Sequence, residues 1–245
     1  MNDPASVFRT LHIGRVSGDP LVLPGPWDAA SARVFEETGF PALATPSAGV
    51  AAALGHADGD TPADEMFAAV ARITRAVSVP VSADIEAGYG LAPEELVDRL
   101  LEAGAVGCNL EDSVGGVLVE PARQADRLAA VRAAAGERLF VNARIDTYVH
   151  GDPAAVDVAT DTTARALLYA DAGADCVYPI MAPPDTLPAL TAAVRVPVNA
   201  VCPLGDPSAL RRLGELGAAR ITFGPQFQRK TADAVRDLAD GLLGG

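Results

Sequence analysis

One pattern recurs along this chain and limits its fold more than any other feature. A helix-like tail ends in glycine, and a short apolar run follows at once. It reads Glu37-Thr38-Gly39-Phe40-Pro41-Ala42-Leu43-Ala44, then Glu102-Ala103-Gly104-Ala105-Val106-Gly107-Cys108-Asn109-Leu110. It returns as Asp171-Ala172-Gly173-Ala174-Asp175-Cys176-Val177-Tyr178 and as Glu215-Leu216-Gly217-Ala218-Ala219-Arg220-Ile221-Thr222-Phe223. Glycine after a helix takes the left-handed conformation that closes the last turn. In Val79-Pro80-Val81 and Val196-Pro197-Val198, proline opens the apolar run, where its missing N–H costs least. Strands are therefore expected near 21–25, 41–45, 79–84, 106–111, 138–144, 175–179, 196–201 and 219–223. Amphipathic helices are expected near 28–38, 64–77, 93–103, 121–135, 153–172, 184–193, 207–216 and 226–243. Pro93 before Glu94 and Glu95 makes a good helix opening, and Asp206-Pro207 and Asp152-Pro153 read as N-cap plus first helical residue.

Short, continuously apolar strands are what a parallel sheet buried on both faces requires. Eight β-α units in 245 residues point to a (β/α)8 barrel, an α/β fold, as one domain over 1–245. Residues 1–20 read as a lead-in segment with room for a short helix. A doubly wound open sheet is the alternative, but it normally uses fewer strands, and no G-x-G-x-x-G or G-x-x-x-x-G-K-[ST] occurs.

Composition removes several function classes. A net charge of −13 argues against nucleic-acid and anionic-membrane partners. No signal-like or membrane-spanning run is visible, and Cys108, Cys176 and Cys202 read as small core residues in a reduced compartment, so a cytoplasmic protein is expected. Lys230 is the single lysine, which argues against Schiff-base chemistry and leaves arginine to hold anions.

Active sites of such barrels lie at the carboxyl ends of the strands. The third strand ends in Asp84-Ile85-Glu86-Ala87-Gly88-Tyr89-Gly90, with two acids at i and i+2 expected on one face. The fourth ends in Asn109-Leu110-Glu111-Asp112 and the fifth in Asn142-Ala143-Arg144-Ile145-Asp146. The loop after the second strand is unusually long, 45–63, and adds Ser47, His56, Asp58 and Asp60. Clustered acids with one arginine suit a hard divalent cation such as Mg²⁺, which needs only one or two direct carboxylates and keeps waters. Arg144 would hold a substrate carboxylate in a forked pair. Taken singly, each acid could instead cap a helix or pair with an arginine. His56 and His150 read as solvated loop residues, Asp28 as an N-cap and Trp27 as a packing residue near the barrel mouth. Tyr89 is expected to line the site or cover the barrel end, and Gly115-Gly116 to hinge a lid.

Several of these stretches occur together in a known order. Trp27-Asp28-Ala29-Ala30-Ser31-Ala32, Gly49 to Asp58, Asp84 to Gly90, Asn109 to Asp112 and Asn142-Ala143-Arg144 resemble the isocitrate lyase/phosphoenolpyruvate mutase superfamily over nearly the whole chain. The resemblance implies a Mg²⁺ cofactor, with Mn²⁺ as a substitute. It implies Asp84 as the direct metal ligand, with Glu86 and Glu111 holding metal-bound water, and Asp58 as an acid near the reacting group. Ser47, Ala48, Arg144, Trp27 and Asn142 fall in the implied substrate-binding set, and Asp58, Arg144 and Glu111 in the catalytic one. It further implies a small anionic oxoacid or hydroxyacid substrate, an enolate-type intermediate, and a homo-oligomer, dimer or tetramer, in which members often exchange a carboxyl-terminal helix.

The chain departs from the subgroups after the fourth strand. Asp112-Ser113-Val114-Gly115-Gly116-Val117-Leu118-Val119-Glu120 lacks the Lys-Lys/Arg-Cys-Gly-His of the isocitrate and methylisocitrate lyases. Ser113 stands where the mutases carry lysine, and their Asn-Ser pair is absent. The expected activity is a Mg²⁺-dependent carbon–carbon lyase on a small 2-hydroxy or 2-oxo carboxylate. The alternatives are an oxaloacetate-type decarboxylase or hydrolase, a phosphonate-forming mutase, and a non-catalytic oxoacid-binding barrel.

Overall fold

The computed structural model describes residues 3–15, 17–152 and 157–243. The strands are β1 (Leu21–Val22), β2 (Leu43–Ala44), β3 (Val81–Asp84), β4 (Gly107–Glu111), β5 (Ser113–Val114), β6 (Val117–Leu118), β7 (Phe140–Ile145), β8 (Cys176–Pro179), β9 (Asn199–Val201) and β10 (Arg220–Thr222). Each of the eight expected windows holds a parallel strand. The strands pair in two arcs, β2-β3-β4-β7-β8 and β1-β10-β9. A bridge between Val177 and Val198 joins β8 to β9, with the Val177 N–H donating to the Pro197 carbonyl at 3.0 Å. At the other seam the Ala44 N–H reaches the Pro24 carbonyl at 3.1 Å. The sheet thus closes into a (β/α)8 barrel, and the open-sheet alternative falls away because no edge is left between the arcs.

The punctuation works as its chemistry demands. Pro80 and Pro197 stand just outside β3 and β9, donate nothing, and still lend their carbonyls to Leu43 and Val177 across the sheet. Gly217 takes φ +104°, and a Cβ there would lie 2.6 Å from Thr191 Oγ1, so only glycine fits between that helix end and its neighbour. The helices turn apolar faces inward: Leu96, Val97 and Leu100 from the helix Pro93–Glu102, and Met66, Phe67, Val70 and Ile73 from Ala63–Thr74. The three cysteines are buried and free, and burial pushes the Cys108 and Cys176 thiols up to about 12.

Three expectations need correction. The segment 45–63 is not all loop, because Ser47–Leu54 forms a helix ending on Gly55 in the left-handed conformation. Its Ala-rich sequence favours helix, but it lacks the capping side chain that would announce one. The lid segment is an antiparallel hairpin, β5 with β6, turning at Gly115-Gly116. The helix expected over 153–172 is described as Val158–Asp171, capped by Asp157 through a 3.2 Å bond from the Ala159 N–H. Pro153, from the Asp152-Pro153 reading, lies outside the described residues.

The lead-in contains the helix Pro4–Leu11, and its place is structural. Phe8 is fully buried and meets Phe140 edge-on at 5.3 Å between ring centroids, while the His12 ring stacks on Phe140 at 4.1 Å. Their neighbours Leu21, Val106, Phe140 and Cys176 stand at or just before the starts of β1, β4, β7 and β8. The helix therefore seals the amino-terminal end of the barrel. Burial, and then the Arg220 guanidinium, push the His12 imidazole down to about 3. Above this plug the interior is polar. Asn142 Nδ2 donates to Asn109 Oδ1 at 2.8 Å, Arg220 Nη2 to the same oxygen at 3.3 Å, and Asn199 Nδ2 to Thr222 Oγ1 at 2.9 Å. Among the described residues no helix is long and apolar enough to cross a membrane.

Candidate active site

The opposite end of the barrel gathers the acids. Asp84 is the last residue of β3, and the Thr45 Oγ1 accepts its N–H at 3.1 Å. Its Oδ2 accepts from the Ser47 hydroxyl at 3.0 Å and the Ser47 N–H at 3.3 Å. The helix Ser47–Leu54 has Pro46 at its N-cap and no capping side chain, so its first N–H groups are left to the site. Burial pushes the Asp84 carboxyl up, while Arg144 and the Ser47 donors pull it down.

Glu86 reaches the site differently from the i, i+2 expectation. The strand stops at Asp84, and Glu86 lies in a turn at φ +52°. Tyr89 is also left-handed, at φ +54°. Such conformations in residues other than glycine persist only where the surroundings enforce them. Here Arg127 does so. Its Nη2 donates to the Ala87 carbonyl at 3.2 Å and the Leu91 carbonyl at 3.3 Å. Gly88, at φ +83°, passes so close that a Cβ would lie 2.6 Å from Arg127 Nη2. Burial, then Asp84 and Asp58, push the Glu86 carboxyl up to about 7.

Parallel pairing of β4 with β7 sets Glu111 beside Arg144. Arg144 Nη1 meets Glu111 Oε2 at 2.8 Å, its Nε donates to Asp146 Oδ1 at 2.7 Å, and its Nη2 to Asp146 Oδ2 at 3.2 Å. The guanidinium expected to hold substrate is thus gripped by two acids. Burial pushes Glu111 up to about 8; Arg144 opposes this, and Asp84, Asp146 and Glu86 add to it. Burial works against the charge of Arg144, but Asp84, Asp146 and Glu111 outweigh it, so the guanidinium stays charged.

A support layer lies behind this cluster. Fully buried Asp146 accepts from Ser113 Oγ at 2.5 Å and gives its N–H to Asp112 Oδ1 at 2.8 Å. Asp112 Oδ2 accepts from Arg165 Nη1 and from the Tyr169 hydroxyl, both at 2.8 Å. Arg165 also donates to the Val119 carbonyl at 2.9 Å, which pins the base of the hairpin. Arg165 and Tyr169 sit on a helix far along the chain, and no local motif marks them.

Two cavities open here and share Ser47, Asp58 and Arg144. The inner one, about 200 Å³, reaches Ala48, Asp84, Asn109, Tyr178, Thr222 and Arg229. The outer one, about 1180 Å³, is walled by Glu86, Tyr89, Glu111, the hairpin, Arg123 and His150. His150, expected to be a solvated loop residue, stands at this mouth, whereas His56 pairs with Glu65 at 3.0 Å on the surface. Trp27 packs partly buried against the core, and fully buried Asn142 bonds to Asn109 in the barrel interior. Neither of these two lines either cavity.

The donor set fits a hard cation. Burial pushes all three carboxyls up, Asp84 raises Glu86 and Glu111 further, and one buried Glu86 oxygen, Oε1, has no hydrogen-bond partner. A cation would relieve both conditions. Among the described residues no three His, Cys, Asp or Glu side chains come together closely enough to ligate one ion between them. One direct carboxylate with the others acting through water is compatible with that spacing.

A family model described as phosphoenolpyruvate phosphomutase matches residues 8–243. The chain belongs to this family. It is therefore a member of the isocitrate lyase/phosphoenolpyruvate mutase superfamily that its motifs resembled. A Mycobacterium tuberculosis protein of uncharacterised function is 39% identical over 96% of this chain and 89% of its own length. A 2-methylisocitrate lyase from Aeropyrum pernix is 34% identical over 72% of this chain and 58% of its own length. The crystal structure of a Burkholderia cenocepacia protein provisionally called a phosphonomutase superposes with a TM-score of 0.87, at 40% identity, covering 100% of both chains. Relatives named as lyases and as mutases both match this chain, so membership leaves the choice of reaction to the residues at the barrel mouth.

Proposed function

We propose that this protein is a Mg²⁺-dependent carbon–carbon lyase acting on a small 2-hydroxy or 2-oxo carboxylate. The observation that carries the reading is the partly buried trio of Asp84, Glu86 and Glu111 at the barrel mouth beside one gripped arginine, Arg144. When bound, Mg²⁺ would supply positive charge to stabilise the oxyanion that develops on the substrate. Asp84 is its direct protein ligand in this reading, with Mn²⁺ able to substitute, and Glu86 and Glu111 orient its waters.

The remaining work belongs to the side chains. The Ser47 and Ala48 backbone and the remaining N–H groups of Arg144 bind the substrate carboxylate and orient it. A carboxylate of the trio takes the proton of the substrate hydroxyl. The bond between the carbinol carbon and its neighbour then breaks. The carbinol carbon becomes a carbonyl, and the departing carbon keeps the electron pair as an enolate-type anion. That anion takes up a proton to complete the reaction. Glu86 and Glu111, with carboxyls pushed up to about 7 and 8, are suited to moving protons near neutrality. Asp58 lines both cavities and helps raise Glu86. Val114, Val117 and Leu118 of the hairpin help keep water from the mouth when the substrate is seated.

The hairpin between Ser113 and Leu118 carries no cysteine, lysine or histidine. The proton for the anion then comes from the trio, from Tyr89 or His150 at the mouth, or from ordered water. A panel of 2-hydroxy diacids, assayed for oxoacid release with and without Mg²⁺, tests the reading. Release should require the cation and vanish in Asp84→Ala. Consumption of oxaloacetate without a second organic product would instead mark a decarboxylase. Conversion of a phosphonate, followed by phosphorus NMR, would mark a mutase. Oxoacid-dependent thermal stabilisation with no turnover would mark a binding barrel.

A further inference from the structure

We propose that Asn109 presents its amide N–H to an oxygen of the ligand bound beside Asp84, and that Arg220 is the positioning residue that turns the amide that way. This rests on the lyase reading for the class of ligand, a small oxoacid. Asn109 is in register with Asp84 on one neighbouring strand and with Asn142 on the other. Registered neighbours share a face of the sheet, so all three side chains enter the barrel. Asn109 is buried, and it stands with Asp84 in the wall of the inner cavity.

The orientation of the amide follows from Arg220. The barrel order is β1-β2-β3-β4-β7-β8-β9-β10, so β10 stands opposite β4 and Arg220 reaches across the axis to Asn109. A guanidinium carries donors and no acceptor, so the atom that meets Arg220 Nη2 at 3.3 Å is the amide oxygen of Asn109. Asn142 must then turn its own Nδ2 to that oxygen, at 2.8 Å. Two interior donors thus commit the oxygen of Asn109. Its Nδ2 is left over: among the described residues it donates to no protein group, and the cavity is the space that remains to it. Arg220 makes no other side-chain hydrogen bond. It is fully buried, forms no ion pair among the described residues, and leaves Nε and Nη1 without partners. Such a charge is destabilising in a protein interior, yet its one bond goes to Asn109. A neutral amide donates without giving up its proton. Its bond strengthens as negative charge builds on the acceptor, which suits the oxygen of an enolate-type anion.

The chain has four asparagines, Asn2, Asn109, Asn142 and Asn199, so ¹⁵N-asparagine labelling gives four side-chain amides to follow by NMR. The full chain with Mg²⁺ is titrated with oxalate, and the signal missing from Asn109→Asp assigns Asn109. Its Nδ2 protons should move downfield as oxalate binds, while Asn199, bonded to Thr222 in the interior, stays in place. Asn109→Asp still accepts from Arg220 and Asn142 but turns an oxygen to the cavity. Calorimetry should find oxalate bound to it about tenfold or more weakly, the range of one charge-assisted bond. Arg220→Met allows the Asn109 amide to turn over, and should diminish both the shift and the affinity. Oxalate that saturates the wild-type protein without moving the Asn109 amide would overturn the assignment, as would undiminished affinity in Asn109→Asp. A full shift retained in Arg220→Met would overturn the positioning role. If oxalate does not bind the wild-type protein, the lyase reading falls, and the same resonance is followed with inorganic phosphate. A shift then keeps Asn109 as an anion donor, and no shift removes it.

Discussion

Raising the pH of the cation-free protein from 7 to 9 should destabilise it, and Mg²⁺ should cancel the loss. The reason lies in Glu111. Its carboxyl is pushed from 4.5 up to about 8, chiefly by burial, and its side chain is only 16% exposed. With its pKa raised on folding, the folded protein binds more protons than the unfolded chain in this window. The associated stability is fully present below 4.5 and is lost as the pH climbs through about 8. At about 1.4 kcal/mol per pH unit for a full proton difference, the span from pH 7 to 9 integrates to about 1.4 kcal/mol for Glu111. Glu86, raised to about 7, adds in the same direction. His12, pushed down to about 3, works with the opposite sign, but only between about 3 and its ordinary 6.5, outside the window. For a chain of this size the loss corresponds to a fall of about 3–5 °C in Tm. Thermal melts in chelator at several pH values would measure it. Millimolar Mg²⁺ should flatten or reverse the slope, because the cation favours the ionised carboxylates. Glu111→Gln should flatten it without metal. A chelated wild-type protein whose Tm holds steady or rises from pH 7 to 9 would refute the account of a strained acid cluster.

Other variants test separate parts of the molecule. Arg144→Lys cannot satisfy Asp146 and Glu111 together, so kcat/KM should fall about 100-fold, as expected for losing a bidentate clamp. Steady-state kinetics on whichever oxoacid the panel identifies would measure it. Gly88→Ala puts a Cβ 2.6 Å from Arg127 Nη2 at φ +83°, and should cost about 1–3 kcal/mol by denaturant titration. Phe8→Ala hollows the plug and should cost about 3–5 kcal/mol, yet leave activity per folded molecule unchanged, because Phe8 lies at the far end from the acids.

The barrel was legible because its signals are local. Glycine after a helix and proline before a strand act within a few residues, and they marked six of the eight windows. Asp84, Glu111 and Arg144 could be collected because strand ends are themselves legible. Glu86 was found for a reason that needed correcting: a left-handed turn, not strand alternation, brings it in. The hairpin was hidden because Val114-Gly115-Gly116-Val117 is too short to show alternation. The Asp112 support was hidden because its partners, Arg165 and Tyr169, lie 53 and 57 residues away. Asn142 shows a further limit. Strand periodicity tells which residues face the barrel axis, but depth along that axis decides between the active-site mouth and the interior, and it depends on the stagger of neighbouring strands.

The seam between β1 and β10 also bears on how the chain is made. Leu21 pairs with Arg220, which the ribosome delivers roughly 200 residues later, so this contact is among the most non-local in the molecule. The helix Pro4–Leu11 is in the same position, since Phe8 and His12 rest on Phe140. During synthesis the earliest segments must wait, with apolar faces uncovered, while β2-β3-β4-β7-β8 can zip in order as each strand emerges. Closure is then a late, concerted step, and the half-built barrel presents two open sheet edges until it happens. Chaperone dependence and aggregation during expression should trace to that interval more than to the stability of the finished protein.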